Sequence, residues 1–124
     1  MTQSIQAFER TFTTGASDLD AKKYYIVKQH TDGTLILSAA ATDKHVGVLL
    51  NKPKTGEAAR VQFLGTVKVV AGGTIGVGAW VTANSSGQAI ATTTAGDVVI
   101  GKFLGTASAA SGDVIEVQLS NFVL

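Results

Sequence analysis

One pattern of eight residues occurs twice in this chain, and it limits the possible folds more than any other feature. Gly56-Glu57-Ala58-Ala59-Arg60-Val61-Gln62-Phe63 returns near the end as Gly112-Asp113-Val114-Ile115-Glu116-Val117-Gln118-Leu119. Both copies read glycine, acid, two apolar residues, a charge, Val-Gln and a large apolar residue. A short apolar segment with a central glycine precedes each copy at similar distance, Val46-Gly47-Val48-Leu49-Leu50 and Val99-Ile100-Gly101-Lys102-Phe103-Leu104. These are two related β-hairpin modules, and no catalytic constellation accompanies them.

With 124 residues the chain is one domain by length, able to bury roughly 65% of its unfolded surface. It has no cysteine, which removes a disulfide framework, a thiolate metal site and a Cys nucleophile together. Charged residues make up only 15%, and ten basic against nine acidic residues leave +1 with no basic stripe. Phosphate neutralisation needs such a stripe, so a nucleic-acid partner is not expected. The low charge suggests a surface partly covered by another subunit or a larger particle, or simply a surface of Thr, Ser, Ala and Gly. The start, Met1-Thr2-Gln3-Ser4, has neither a basic nor an apolar leader region, so folding is expected in the compartment of synthesis. The charge-free stretch from Val69 to Gly96 is cut by Asn84-Ser85-Ser86-Gly87 and by glycines, and is read as strands rather than a membrane span.

Residues 1–20 carry Ile5, Phe8 and Phe12 without a sustained period, and are expected to form an extended arm that orders on a partner. A single β domain is expected over 21–124. Lys23 to Gln29 and Thr34 to Ser38 flank Asp32-Gly33, a tight hairpin turn. Val46 to Leu50 resumes a strand, and Pro53 ends the segment. Ala58 to Val70 alternates with Val61, Phe63, Val67 and Val69 inward, and Gly65 marks a bulge or corner. Ala79 to Ala83 and Gln88 to Thr93 form a second hairpin, and Asp97 to Thr106 with Asp113 to Leu119 a third. About eight short strands with glycine corners indicate an all-β barrel or sandwich.

The motifs that could carry chemistry fail on their context. Gly96-Asp97-Val98-Val99-Ile100-Gly101-Lys102 has phosphate-loop spacing, but its interior is apolar and Phe103 stands where a Ser or Thr would bind magnesium. His30 and His45 each have a nearby carboxylate, Asp32 and Asp43, yet no nucleophile-elbow pattern surrounds any serine. Asp18 and Asp20 are too few for a metal site. Catalytic, cofactor and metal residues are therefore expected to be none. Trp80 is expected as an anchor of the core or of a subunit interface, and one of Tyr24 and Tyr25 should face outward.

Val46-Gly47-Val48-Leu49, the Gly56 to Gly65 module, Gly78-Ala79-Trp80-Val81-Thr82 with its Asn-Ser-Ser-Gly-Gln turn, and the closing 100–104 and 114–119 segments resemble the head decoration, or capsid cement, proteins of tailed phages. The resemblance covers about Val46 to Leu119. It implies a small β-barrel or β-tulip-like domain with an N-terminal arm, without enzymatic activity. It also implies binding to the outer surface of the expanded capsid, with the major capsid protein and the chain itself, as a homotrimer, as partners. The chain would be made in the host cytoplasm and end in the virion. Ile5, Phe8 and Phe12 would be capsid contacts by position and chemistry alone. A phage tail or adhesin-type β domain binding carbohydrate is the alternative.

Overall fold

A computed structural model describes residues 8–124. These residues contain ten strands and no helix. The strands are β1 (Glu9–Thr13), β2 (Ile26–Gln29), β3 (Leu35–Leu37), β4 (His45–Leu49), β5 (Ala58–Gln62), β6 (Thr66–Val70), β7 (Trp80–Ala83), β8 (Ala89–Ala91), β9 (Val98–Phe103) and β10 (Val114–Val123). They form two five-stranded sheets, ordered β1-β5-β4-β2-β3 and β6-β10-β9-β7-β8. All named pairings are antiparallel. The all-β class stands. Neither sheet closes into a full barrel: its two edge strands meet only at a single bridge, Thr14 to Leu35 in the first and Ala71 to Ala89 in the second.

The second strand order is the first with every number raised by five. The repeated pattern is thus the visible part of a complete duplication, with a first module over residues 8–64 and a second over 65–124. Its local chemistry is duplicated too. Glu57 Oε1 accepts the Lys54 N–H at 2.6 Å, and Asp113 Oδ2 accepts the Ala110 N–H at 2.9 Å. In both turns the acid therefore closes a loop three residues behind it, as short acidic side chains do. The glycine before each acid has positive φ, +81° at Gly56 and +90° at Gly112, a region L-residues avoid. Its N–H reaches back to the end of the module's first strand, to Thr14 O at 3.0 Å and Ala71 O at 2.7 Å.

Each module curls around its own apolar cluster. In the first, Leu19, Val27, Leu35, Leu49, Ala59 and Val61 are buried together. The matching positions Ile75, Val81, Ala89, Phe103, Ile115 and Val117 are buried in the second. The second cluster also takes in Ile26 and Val48, which point away from the first module's own cluster. Stacking of the second module on the far face of the first is what joins the two halves.

Three expectations change. Over the described part of 1–20, Glu9–Thr13 form β1, paired residue by residue with Ala58–Gln62, and Leu19 is buried. A free strand edge at β5 offers backbone hydrogen bonds that outweigh the weak local pattern of these residues. Ala58 to Val70 is two strands in different sheets, and the corner between them contains Gly65 with φ +85°. Phe63, expected inward, lies on that corner and is 38% exposed.

Candidate functional site

The best-connected polar cluster lies between the modules. His45 on β4 is buried, with its Nδ1 2.7 Å from Ser38 Oγ and its Nε2 3.2 Å from Thr82 Oγ1. The Thr82 hydroxyl donates to Val98 O at 2.7 Å, so the Nε2–H of His45 must donate to Thr82 and its Nδ1 must accept from Ser38. Every polar atom is satisfied by a neutral ring. Asn121 Nδ2 donates to His45 O at 2.8 Å, adding a third strand to the tie. A serine beside a histidine is half of a hydrolytic arrangement. Ser38 and His45 are only 0% and 3% exposed, however, so no substrate reaches the pair.

Burial lowers the His45 pKa below its ordinary value, with Asp43 opposing and Lys28 adding to the shift. Asp43 itself is held low: burial would raise it, but Lys28 Nζ at 2.8 Å and the N–H groups of Ala39 and Ala40 outweigh that. A depressed histidine pKa stabilises the fold above the unfolded value and loses that contribution as pH falls through the folded value. The urea midpoint is therefore expected to fall between about pH 7 and about pH 5, before the carboxylates titrate. A flat midpoint across that window would show that His45 is not held neutral by the module junction.

His30 pairs with Asp32 at 3.3 Å, but both side chains are more than half exposed, and the Asp32 carboxylate is taken up by Thr34 N and Oγ1 at 3.0 and 2.6 Å. Asp18 accepts the Thr55 N–H at 2.8 Å. Among the described residues no three His, Asp or Glu side chains converge as a metal site would require.

What the surface offers instead is apolar. Phe8, Phe63 and Leu64 are 54%, 38% and 45% exposed, and the backbone brings Phe63 next to Phe8, whose carbonyl accepts the Phe63 N–H at 2.9 Å. Phe12, four residues beyond Phe8 along the edge and opposite Ala59, is half-buried with the Arg10 guanidinium 5.1 Å above its ring. Arg10, Phe12, Gln29, Val46, Phe63 and Asn121 line a shallow groove with His45 at its floor. On the other module Trp80 is 39% exposed and meets Phe122 edge to face, with ring centroids 4.9 Å apart. Of the sequence-predicted contacts, Phe8 and Phe12 thus lie along one edge of the first module, and Ile5 lies outside the described residues. Trp80 stands apart from them on β7, at the surface rather than in the core. Phe63, Leu64 and the groove carried no sequence signal, because a corner and a crevice follow from tertiary packing.

The described residues thus form a duplicated all-β frame with a buried histidine–hydroxyl cluster at the module junction and exposed apolar side chains at the surface. Residues 6–119 match the model of the phage cement protein family, and the chain belongs to that family. It is thereby a structural protein associated with the phage head. The crystal structure of the head fiber gp8.5 N base in bacteriophage phi29 shares the fold, with a TM-score of 0.70 and 23% identity over 94% of this chain and 98% of that one. No curated protein matches the chain.

Proposed function

We propose that this protein binds the outer surface of the expanded phage head through the major capsid protein, as homotrimers, and holds the shell against the pressure of packaged DNA. The family match over residues 6–119 carries this reading. The exposed apolar end of the first module agrees with it. Phe8 and Leu64, with Ile5 preceding them in the chain, supply the capsid contact, since exposed apolar clusters are where partners dock. Phe12 is held under Arg10 and lends itself less to that role. A modest contact repeated over a whole shell stabilises it by mass action and multivalency, without turnover.

The test is cosedimentation of the purified protein with expanded heads of its own phage stripped of decoration. A truncation must spare Glu9–Thr13, whose loss would leave β5 unpaired, so the variants are removal of residues 1–7 and Phe8→Ser with Leu64→Ser. Saturable binding by the intact chain, weakened at least tenfold in the double variant, is expected. Failure of the intact chain to bind would sink the decoration reading and promote carbohydrate recognition.

A further inference from the structure

The duplication shows what each module's faces are made to accept. On the first module, the face opposite its own cluster carries the cross-strand row Glu9, Gln62, Val48 and Ile26. Val48 and Ile26 in that row are fully buried in the second module's cluster, together with Val67 and Val69. The same row on the second module is Thr66, Gln118, Lys102 and Trp80. There Trp80, in the place of Ile26, is exposed, as are Lys102 and Gln118. The complementary face is open too. The partners of Val61 and Ala59 across β1 are Arg10 and Phe12, where the second module has Val67 and Val69 opposite Val117 and Ile115. Val67 and Val69 are buried under the first module, whereas Arg10 is exposed and Phe12 only half-buried, beside a groove.

Among the described residues, one end of the chain thus presents a partly exposed knob at Trp80 and Lys102, and the other an open groove at Arg10 and Phe12, at the positions that fit together within it. We propose that a second copy of this chain seats its Trp80 face in the Arg10–Phe12 groove, repeating between chains the contact that joins the two modules. This deepens, and rests on, the reading of the chain as a self-associating head protein. The occupant is another module of the same fold because such a module already covers the equivalent face. A tryptophan entering a groove rimmed by an arginine and a phenylalanine is the usual composition of an interface anchor.

The contact is heterologous, so it closes into a ring or continues as a chain. Arg10 and Lys102 stand where the internal contact has Val67 and Val48, and this pair of like charges weakens docking between free chains. Docking therefore gains from salt, which screens the pair, and from the high local concentration on a head.

The absence of cysteine makes the test clean. Arg10→Cys and Lys102→Cys chains are oxidised singly and mixed, free at high concentration and bound to heads. A mixed disulfide in the mixture, with little product from either variant alone, is expected. Disulfide dimers of Lys102→Cys alone would mean face-to-face docking, and no mixed product in either setting would mean no docking; both overturn the proposal. Lys102→Val, which restores the residue of the internal contact, is expected to tighten self-association about tenfold in sedimentation equilibrium. A loss of folding cannot imitate that gain, and an unchanged or weaker association counts against the groove. Heads that bind the chain without the mixed product overturn the docking and leave the decoration reading standing. If heads do not bind the chain, that reading falls and the free protein decides the docking alone.

Discussion

Gly47→Ala and Gly101→Ala are each expected to lower the unfolding free energy by about 3 kcal/mol, among the largest effects available to a single methyl group in this chain. The two glycines occupy the same place in the two modules. A methyl on Gly47 would collide with Gln62 O and lie 2.9 Å from Val61 Cγ1. On Gly101 it would collide with Gln118 O and lie 2.6 Å from Val117 Cγ1. In each case the obstacle is the backbone of the Val-Gln pair on the neighbouring strand, β5 or β10, which cannot swing aside as a side chain can. Relief requires the two strands to part. Gly76→Ala is the control: its methyl meets nothing within 4 Å and the backbone there has no positive φ, so no comparable loss is expected. Urea denaturation of the three variants decides it. If Gly47→Ala or Gly101→Ala behaves like Gly76→Ala, the close approach of β4 to β5 or of β9 to β10 is not a constraint.

The same close approach explains why the repeat was legible in the sequence. Gly47 and Gly101 are fixed by contact with Val61-Gln62 and Val117-Gln118, so the apolar-glycine segment and the Val-Gln segment persist together in both halves. Glu57 and Asp113 persist because each closes its turn through a backbone N–H. Strand β1 was not legible as a strand. Its sequence, Glu-Arg-Thr-Phe-Thr, has no apolar partner for Phe12 within the segment, and its place is set by the edge of β5 far along the chain. Tyr24 was unreadable for a different reason. Its φ is +70°, in the region where glycine is at ease, and the equivalent position of the second module is Gly78 at +78°. A tyrosine there costs about 1–3 kcal/mol, against which stand its N–H donated to Leu49 O at 2.7 Å, its C=O accepting the Val70 N–H at 3.0 Å and the Lys23 ammonium 4.9 Å from its ring centroid. The open faces of the candidate docking site were half legible. Trp80 was visible as an anchor by its type, but whether it lay in a core or on a surface depended on which module had a neighbour. Among the described residues the second module's far face meets the first module at Thr82, through His45 and Ala41, while Trp80 on the same face of β7 stays exposed.

Phe103→Ala and Leu49→Ala, equivalent positions in the two clusters, are expected to destabilise the protein by about 3–5 and about 2–5 kcal/mol respectively, each in a single urea transition. The transfer and cavity terms alone give these magnitudes. Phe103 should be the more damaging for two reasons: more buried surface is lost, and its cluster is the one that also holds Ile26 and Val48 of the first module. A cavity there loosens the joint between modules as well as the second module itself. Leu49 belongs to a cluster built from the first module alone. If the modules were independent domains strung on a linker, Leu49→Ala would melt the first while the second survived, and two transitions would appear. The structure argues otherwise. The chain passes from β5 to β6 through only Phe63, Leu64 and Gly65. Leu119 N–H reaches Gly65 O at 2.8 Å, Val70 N–H reaches Tyr24 O at 3.0 Å, and His45 is tied to Thr82 and Asn121. Two transitions for Leu49→Ala would therefore mean that these ties are weak, and that stacking between modules is too slight to serve as the template for docking between chains.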